Sequence, residues 1–550
     1  MSEPSLRETL RGRRVLVTGA TGFLGKVWVA HLLDAVPELG ELLLLVRPGK
    51  RGGARARLER VFASSPAFWP LHEAHGPELG AFLGARVTPL AGDLEAPQLG
   101  LEPDAVAELG RVDAVVHLAG LTTLRPEPRE ALRTNVDGAL AALELARCLG
   151  AAFLHVSTAY VAGRRPGRVS ESIEATAPNG EAWDAEREHR EWGERADAVW
   201  ATSRTAPIEA ELEAEAQAQR RRLGAAQAEH ATFLDRVRER WVATRLRDEA
   251  HARANHWGWP NAYAASKAMA EQLLAARCAE VPLCVVRPTI VESALAFPFP
   301  GWKEGFQTSA PLTFAMSDGP LKHLPANRRL VLDVIPVDLV ARGLTLCLAA
   351  LLRGQAPRVV HLGTSDHNPL SVGRAVDLTG LAQRSAPLGW RDLLRSDAVA
   401  GDPQRYRWTS IPALRKLARG AAEALDLAAG ALPLPAEGRA AVARWERKVR
   451  RSSRRLGELE EVVDTFLPFV LDVDCVFATE ALRALDAALA SDERADFGVD
   501  VTRLDWRRYW LEVHLPGLRR WIYPRLAGTR SEALPERPVT LAAPLEARRP

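Results

Sequence analysis

Tyr263 and Lys267 stand four residues apart in Tyr263-Ala264-Ala265-Ser266-Lys267, a spacing that puts both on one face of a helix. With five tyrosines and seven lysines among 550 residues, such a pair is an uncommon coincidence. A neighbouring ammonium favours the phenolate, so this Tyr can pass a proton near neutral pH while hydride moves to or from carbon. The plainer reading is a helical Tyr beside an exposed Lys. Hydroxyl groups to orient a substrate oxygen are offered by His155-Val156-Ser157-Thr158-Ala159-Tyr160, where Thr158 is the first choice and Ser157 the second. Asn135, in Asn135-Val136-Asp137-Gly138, is expected to fix a water and a backbone carbonyl behind Lys267.

Hydride chemistry needs a carrier, and Gly19-Ala20-Thr21-Gly22-Phe23-Leu24-Gly25 follows the first apolar run and opens a helical pattern. Glycines there tighten the turn, admit a pyrophosphate to the backbone amides and let helix and strand pack closely. A site for NAD usually carries an acid at the end of the second strand. Here that strand ends Leu44-Leu45-Val46-Arg47, with Lys50 and Arg51 beyond. A guanidinium suits a 2′-phosphate, so the expected cofactor is NADPH with Arg47 as its reader. Asp93 and Leu94 are expected at the adenine edge, and Ala119 and Gly120 where the cofactor passes close to backbone.

The elements that must position these groups alternate. Short apolar runs at 15–17, 42–46, 86–90, 114–118, 153–156 and 283–286 are separated by helical patterns. This predicts an α/β fold, a doubly wound Rossmann-type parallel sheet. From about 181 to 257 Ala, Arg, Glu and Gln dominate, which predicts a helical insertion. Phe233, Leu234, Val237 and Trp241 fall at helical spacing, a face expected to pack on the body of the protein. The reading is a cofactor-binding domain over 12–370 and a mainly helical C-terminal domain over 371–550.

Composition narrows the function classes. Seventy-two basic against 69 acidic residues leave a net charge of +3, unlike a dedicated nucleic-acid binder. The five cysteines form no CxxC pair and no zinc spacing with histidine, so no metal is expected. No apolar run reaches the roughly 18 residues of a membrane span and no signal peptide opens the chain, so a cytoplasmic, soluble protein is expected. The oligomeric state stays open.

Together these residues resemble the extended short-chain dehydrogenase/reductases, with Arg287-Pro288-Thr289 after a late strand completing the set. More narrowly, the chain is similar to the alcohol-forming fatty acyl-CoA reductases. The supporting strings are Leu16 to Lys26, Gly92-Asp93-Leu94, His155 to Val161, Pro260-Asn261-Ala262-Tyr263, Val285 to Ser293, Pro298 to Trp302 and Asp333 to Asp338. Gly120 departs from the Ala often found there. The resemblance implies Pro288 and Thr289 near the cofactor, a long-chain acyl-CoA substrate, and reduction through an aldehyde to a primary alcohol with release of CoA. Alternatives are an aldehyde-forming thioester reductase, a nucleotide-sugar epimerase or dehydrogenase, and a noncatalytic NADPH sensor. Phe297, Phe299, Trp302 and Phe306 are the candidates for the acyl entrance, or equally a plug between domains. The basic run Arg444 to Arg455 offers contacts for CoA phosphates or an anionic membrane, or a solvated helix face. Trp506, Tyr509, Trp510 and Trp521 read as interfacial or as core.

Overall fold

The computed structural model describes residues 4–49, 52–223, 230–306, 308–317, 321, 323–385, 399–431, 435–528 and 537–542. Seven parallel strands build its main sheet: β1 (Arg14–Thr18), β2 (Glu41–Val46), β3 (Val87–Ala91), β4 (Ala114–His117), β5 (Ala152–Val156), β6 (Leu283–Pro288) and β7 (Val359–Leu362). Their spatial order is β3-β2-β1-β4-β5-β6-β7, so the winding reverses between β1 and β4. Ligands bind such sheets outside the carboxyl ends of the strands at that reversal.

Strand side chains alternate between two helical layers. Val15 and Val17 face α1 (Phe23–Ala35) and the late helix Val337–Leu352 in one buried cluster. Leu16 and Val115 face the helices Gly138–Cys148 and Ala262–Arg277 in another. Cover on both faces explains why β2 and β6 are nearly uninterrupted apolar runs.

The insertion forms three helices, α2 (Ala185–Thr202), α3 (Ala206–Leu223) and α4 (His230–His256). Trp192, Ala250 and Ala254 join it to the body. A buried carboxylate, Glu188, ties α2 to α4 by accepting from Arg253 Nε at 2.7 Å and Nη2 at 2.9 Å, and it also accepts from Trp192 Nε1 within α2 at 2.9 Å. Phe233 and Val237 do not reach the body: they pack on Leu212 and Ala216 of α3. Helical spacing marks an apolar face without naming its partner, and here the insertion supplies its own.

The C-terminal region is mainly helical, with α5 (Val372–Ser385), α6 (Ile411–Ala431) and α7 (Ala436–Leu471) as its long members. Its chain returns to the sheet layer, where Leu482, Leu489 and Phe497 join the cluster of β1 and α1. Trp506, Tyr509 and Trp510 are core residues, packed with Ala375 and Leu378 of α5, so the interfacial reading does not apply to them. Among the described residues no helix is long and apolar enough to cross a membrane.

Candidate functional site

A cavity of about 700 Å³ opens over the carboxyl ends of β1, β4, β5 and β6. Gly19, Thr21, Gly22, Phe23, Leu24 and Gly25 line its floor. Gly19 has φ +78°, and a Cβ there would lie 2.5 Å from the backbone nitrogen of Ala119, so only glycine lets the β1 turn pass beneath β4. The N-terminus of α1 carries no side-chain cap and no acidic residue in its first turn. Its amides and dipole are therefore left for an anion, and the cradle fits a dinucleotide pyrophosphate.

Arg47, Asp93, Leu94, Ala119, Gly120, Pro288 and Thr289 also line the cavity. Arg47 donates from Nη2 to Asp93 Oδ1 at 2.9 Å and remains more than half exposed. Arg57, which the sequence reading missed, lines the same end and donates to the Arg47 carbonyl at 2.8 Å. Two guanidiniums therefore share the end of β2. Lys50 and Arg51 lie outside the described residues. The Thr289 hydroxyl is committed elsewhere, donating to buried Asp333 at 2.9 Å.

Tyr263 and Lys267 sit on the helix Ala262–Arg277, whose first turn is capped by Asn261 Oδ1 accepting from Ala264 N at 2.8 Å. Arg287 of β6 donates from Nε to Glu271 of this helix at 3.0 Å, a buried ion pair that fixes the helix on the sheet. Lys267 is 3% exposed and donates from Nζ to the Val156 carbonyl at 2.8 Å. Burial pushes its ammonium down to about 8 against the opposing pull of Glu271. Burial likewise pushes the Tyr263 hydroxyl up to about 12, so the expected shift toward phenolate is absent and the group stands as a protonated donor.

Thr158 and Ser157 follow β5 and face the same cavity. Thr158 Oγ1 accepts from Tyr160 N at 3.3 Å and lies 3.5 Å from the Pro288 carbonyl, while the buried Ser157 Oγ has no partner among the described residues. Asn135 lies behind the cavity wall. Its Oδ1 accepts from Leu121 N at 2.7 Å, and its Nδ2 donates to Ser266 Oγ at 3.0 Å and to the Leu121 carbonyl at 3.2 Å. It thus holds a backbone carbonyl, that of Leu121, and through Ser266 it also clamps the chain after β4 to the Tyr263 helix. Gly120 leaves the space where they meet, since a Cβ there would lie 3.2 Å from Asn135 Oδ1 and 3.7 Å from Lys267 Nζ.

The other limb of the cavity is apolar. Leu312, Met316, Leu324, Val376, Phe466, Val470 and Trp510 line it, drawn from five separate stretches of the C-terminal half. Phe299, Trp302 and Phe306 are not among the lining residues. Trp302 is 1% exposed and packs on Phe23 at 5.2 Å, Phe299 stacks on Trp69 at 5.3 Å, and Phe306 is 42% exposed. Of the two readings for this segment, the aromatic plug describes Phe299 and Trp302. Lys303, also missed, lines the cavity from the same loop, 3.0 Å from Glu292 Oε2. The scarcity of lysine was the available signal. Among the described residues no group of three or more potential metal ligands clusters and no cysteine lines the cavity.

A family model described as male sterility protein matches residues 17–344. A probable fatty acyl-CoA reductase 4 of Arabidopsis thaliana is 29% identical over 529 residues, covering 93% of this chain and 98% of its own. An alcohol-forming fatty acyl-CoA reductase of Simmondsia chinensis is 27% identical over 532 residues, covering 94% and 98%. Among solved structures, the terminal R domain from the myxalamid PKS-NRPS biosynthetic pathway superposes with a TM-score of 0.53 at 16% identity over 96% of each chain, a likeness of fold.

Proposed function

The chain belongs to the male sterility protein family of fatty acyl-CoA reductases, and from that premise we propose that it reduces long-chain acyl-CoA to the primary alcohol with NADPH. The observation that carries this reading is one continuous cavity, with a dinucleotide cradle at one end, Tyr263, Lys267 and Thr158 between, and an apolar limb at the other. An acyl chain gains from burial in such a limb, whereas a hydrophilic sugar would leave it unfilled.

When bound, the nicotinamide supplies the hydride for each two-electron reduction. Gly19 to Gly25 would hold its pyrophosphate, and Arg47 with Arg57 its 2′-phosphate. The hydroxyls of Thr158 and Tyr263 hold the substrate oxygen and stabilise the charge that develops on it. Tyr263 Oη then gives up its proton, and the cationic Lys267 Nζ beside it eases the transient phenolate. With no thiol in the cavity wall, the thioester carbon is attacked directly, without an acyl-enzyme. Collapse of the resulting hemithioacetal expels CoA and leaves an aldehyde, which the apolar limb retains by its chain. With Tyr263 reprotonated from solvent and a second reduced cofactor in place of the spent one, the same hydroxyl protonates the second alkoxide.

The test is incubation of the purified protein with NADPH or NADH and a series of acyl-CoAs, with products identified by mass. Arg47→Ala and Arg57→Ala together are expected to raise KM for NADPH by about 10- to 100-fold, the loss of charge-assisted contacts, and to leave KM for NADH nearly unchanged. An unchanged ratio of the two KM values would remove the 2′-phosphate assignment.

A further inference from the structure

Two carboxylates buried around the end of β6 are matched by cations, Glu271 by Arg287 and Glu292 by Lys303. A third, Asp333, is 1% exposed, and among the described residues no cation pairs with it. Its oxygens take hydrogen bonds instead. Oδ1 accepts from Thr289 Oγ1 and from Thr364 N, each at 2.9 Å, and Oδ2 accepts from Ser365 N at 3.1 Å. Gly363 leaves the room, since a Cβ there would lie 2.9 Å from Asp333 Oδ2 and 2.8 Å from Thr289 Cγ2. Burial pushes the carboxyl up from its ordinary value, while these bonds, all donated to it, favour the ionised form. An unmatched buried charge is costly, and this one has a wall built around it.

The carboxylate lies behind the wall that borders the reacting groups. Ile290 N donates to the Asp333 carbonyl at 3.1 Å, and the short strand Val334–Pro336 pairs in parallel with Ile290–Glu292. Thr289 both lines the cavity and donates to Asp333, so a single residue links the two. The Pro288 carbonyl lies 3.5 Å from Thr158 Oγ1, which puts the catalytic hydroxyls at the same segment. A hydride donor serving a carbon held by Thr158 and Tyr263 must bring its nicotinamide to this end. Loss of hydride leaves that ring positively charged. Of the charged groups lining the cavity, Lys303 is matched by Glu292 and Glu304 by Lys26, while Arg47, Arg57 and Asp93 lie at the end of β2. That leaves the Lys267 ammonium, which opposes a second positive charge, and behind Thr289 the bare carboxylate that favours one.

We propose that Asp333 acts through its charge on the nicotinamide ring, stabilising the oxidised form and making the bound reduced cofactor a stronger hydride donor. This role rests on a nicotinamide dinucleotide filling the cavity, as read above, and is independent of the substrate. A fixed carboxylate in a wall away from water needs no reorganisation as positive charge develops on the ring. Opposite unit charges several Å apart inside a protein shift an equilibrium by about tenfold or more. A thioester is a poor hydride acceptor, so a donor strengthened in this way suits the first reduction most.

The experiment is calorimetric titration of the full chain with NADP+, NADPH and the benzamide analogue of NADP+, in which a carbon replaces the ring nitrogen so that shape is kept and the charge is lost. Wild type is expected to bind NADP+ about tenfold or more tighter than the neutral analogue. Asp333→Asn is expected to weaken NADP+ by a similar factor and to leave NADPH and the analogue nearly unchanged. Thr289→Val, which removes one hydrogen bond and keeps the charge, should preserve the contrast, and it serves with the wild-type contrast if Asp333→Asn does not fold. Equal binding of NADP+ and the analogue by wild type overturns the proposal. So does an Asp333→Asn protein that weakens all three ligands alike, the mark of a purely architectural carboxylate, or a contrast lost in Thr289→Val. The same titrations without the 2′-phosphate separate an error in that assignment, which shows as tighter binding of the unphosphorylated ligands with the contrast still readable. No binding of either oxidised cofactor would remove the nicotinamide reading and this role with it.

Discussion

Tyr263→Phe is expected to lower kcat by about 10²- to 10⁴-fold while the protein still binds NADPH, because one oxygen is removed from a side chain whose ring packing is kept. In the proposed mechanism the hydroxyl is half of the oxyanion contact and the whole of the proton supply. Burial holds it near 12, so at neutral pH it is a fully protonated acid before reaction, which suits the reductive direction. The helix that carries it is fixed independently, by the Asn261 cap and the Arg287–Glu271 pair, so the substitution leaves the cofactor crevice in place. Single-turnover kinetics with nucleotide fluorescence checks this. A wild-type rate in Tyr263→Phe would mean that the proton comes from another group.

Lys267→Met is expected to cost on the order of 10²-fold in kcat/KM and, unlike the tyrosine change, to weaken nucleotide binding as well. The ammonium anchors the carbonyl of Val156 at 2.8 Å, and in the proposed mechanism it also lends positive charge to the Tyr263 hydroxyl, so two roles vanish together. The wild-type pH dependence carries a signature of the same group. Burial lowers Lys267 from 10.5 to about 8, so the folded protein gives up this proton earlier than the unfolded chain. Between about pH 8 and 10 the unfolded state binds more protons, and this lysine's contribution to stability therefore rises with pH. Activity that needs the cation falls over the same interval. The opposition of the two trends separates loss of a catalytic charge from alkaline unfolding. In Lys267→Met both the activity limb and the matching stability increment should disappear; a wild-type alkaline limb in that variant would assign it to another residue.

The local parts of this site were legible in the sequence because each is written in contiguous residues. The glycine turn follows an apolar strand and precedes a helix, and a Tyr and Lys four apart need only one helix to meet. The apolar limb was not legible, since Leu312, Val376, Phe466, Val470 and Trp510 come from stretches up to about 200 residues apart that only tertiary packing brings together. Phe299 and Trp302 misled for the opposite reason. They are a conspicuous aromatic cluster next to the site in sequence, yet the Trp302 ring packs on Phe23 and the Phe299 ring on Trp69, which is how large aromatics are most often used in a core. Arg57 was hidden by abundance, one arginine among many, and is distinguished only by its bond to the Arg47 backbone. The charge on Tyr263 was misjudged because spacing reports that Lys267 is near but says nothing of burial, which acts on both groups and dominates each.

The most direct measurement is the ratio of NADPH oxidised to CoA released from a long-chain acyl-CoA, with an aldehyde-trapping hydrazine present and products identified by mass. Retention of the chain in the apolar limb through both reductions, with Tyr263 serving each, gives about two NADPH per CoA and carbon recovered as the primary alcohol. A ratio near one, with most of the carbon captured as hydrazone, would contradict the four-electron reduction and leave an aldehyde-forming reductase using the same residues.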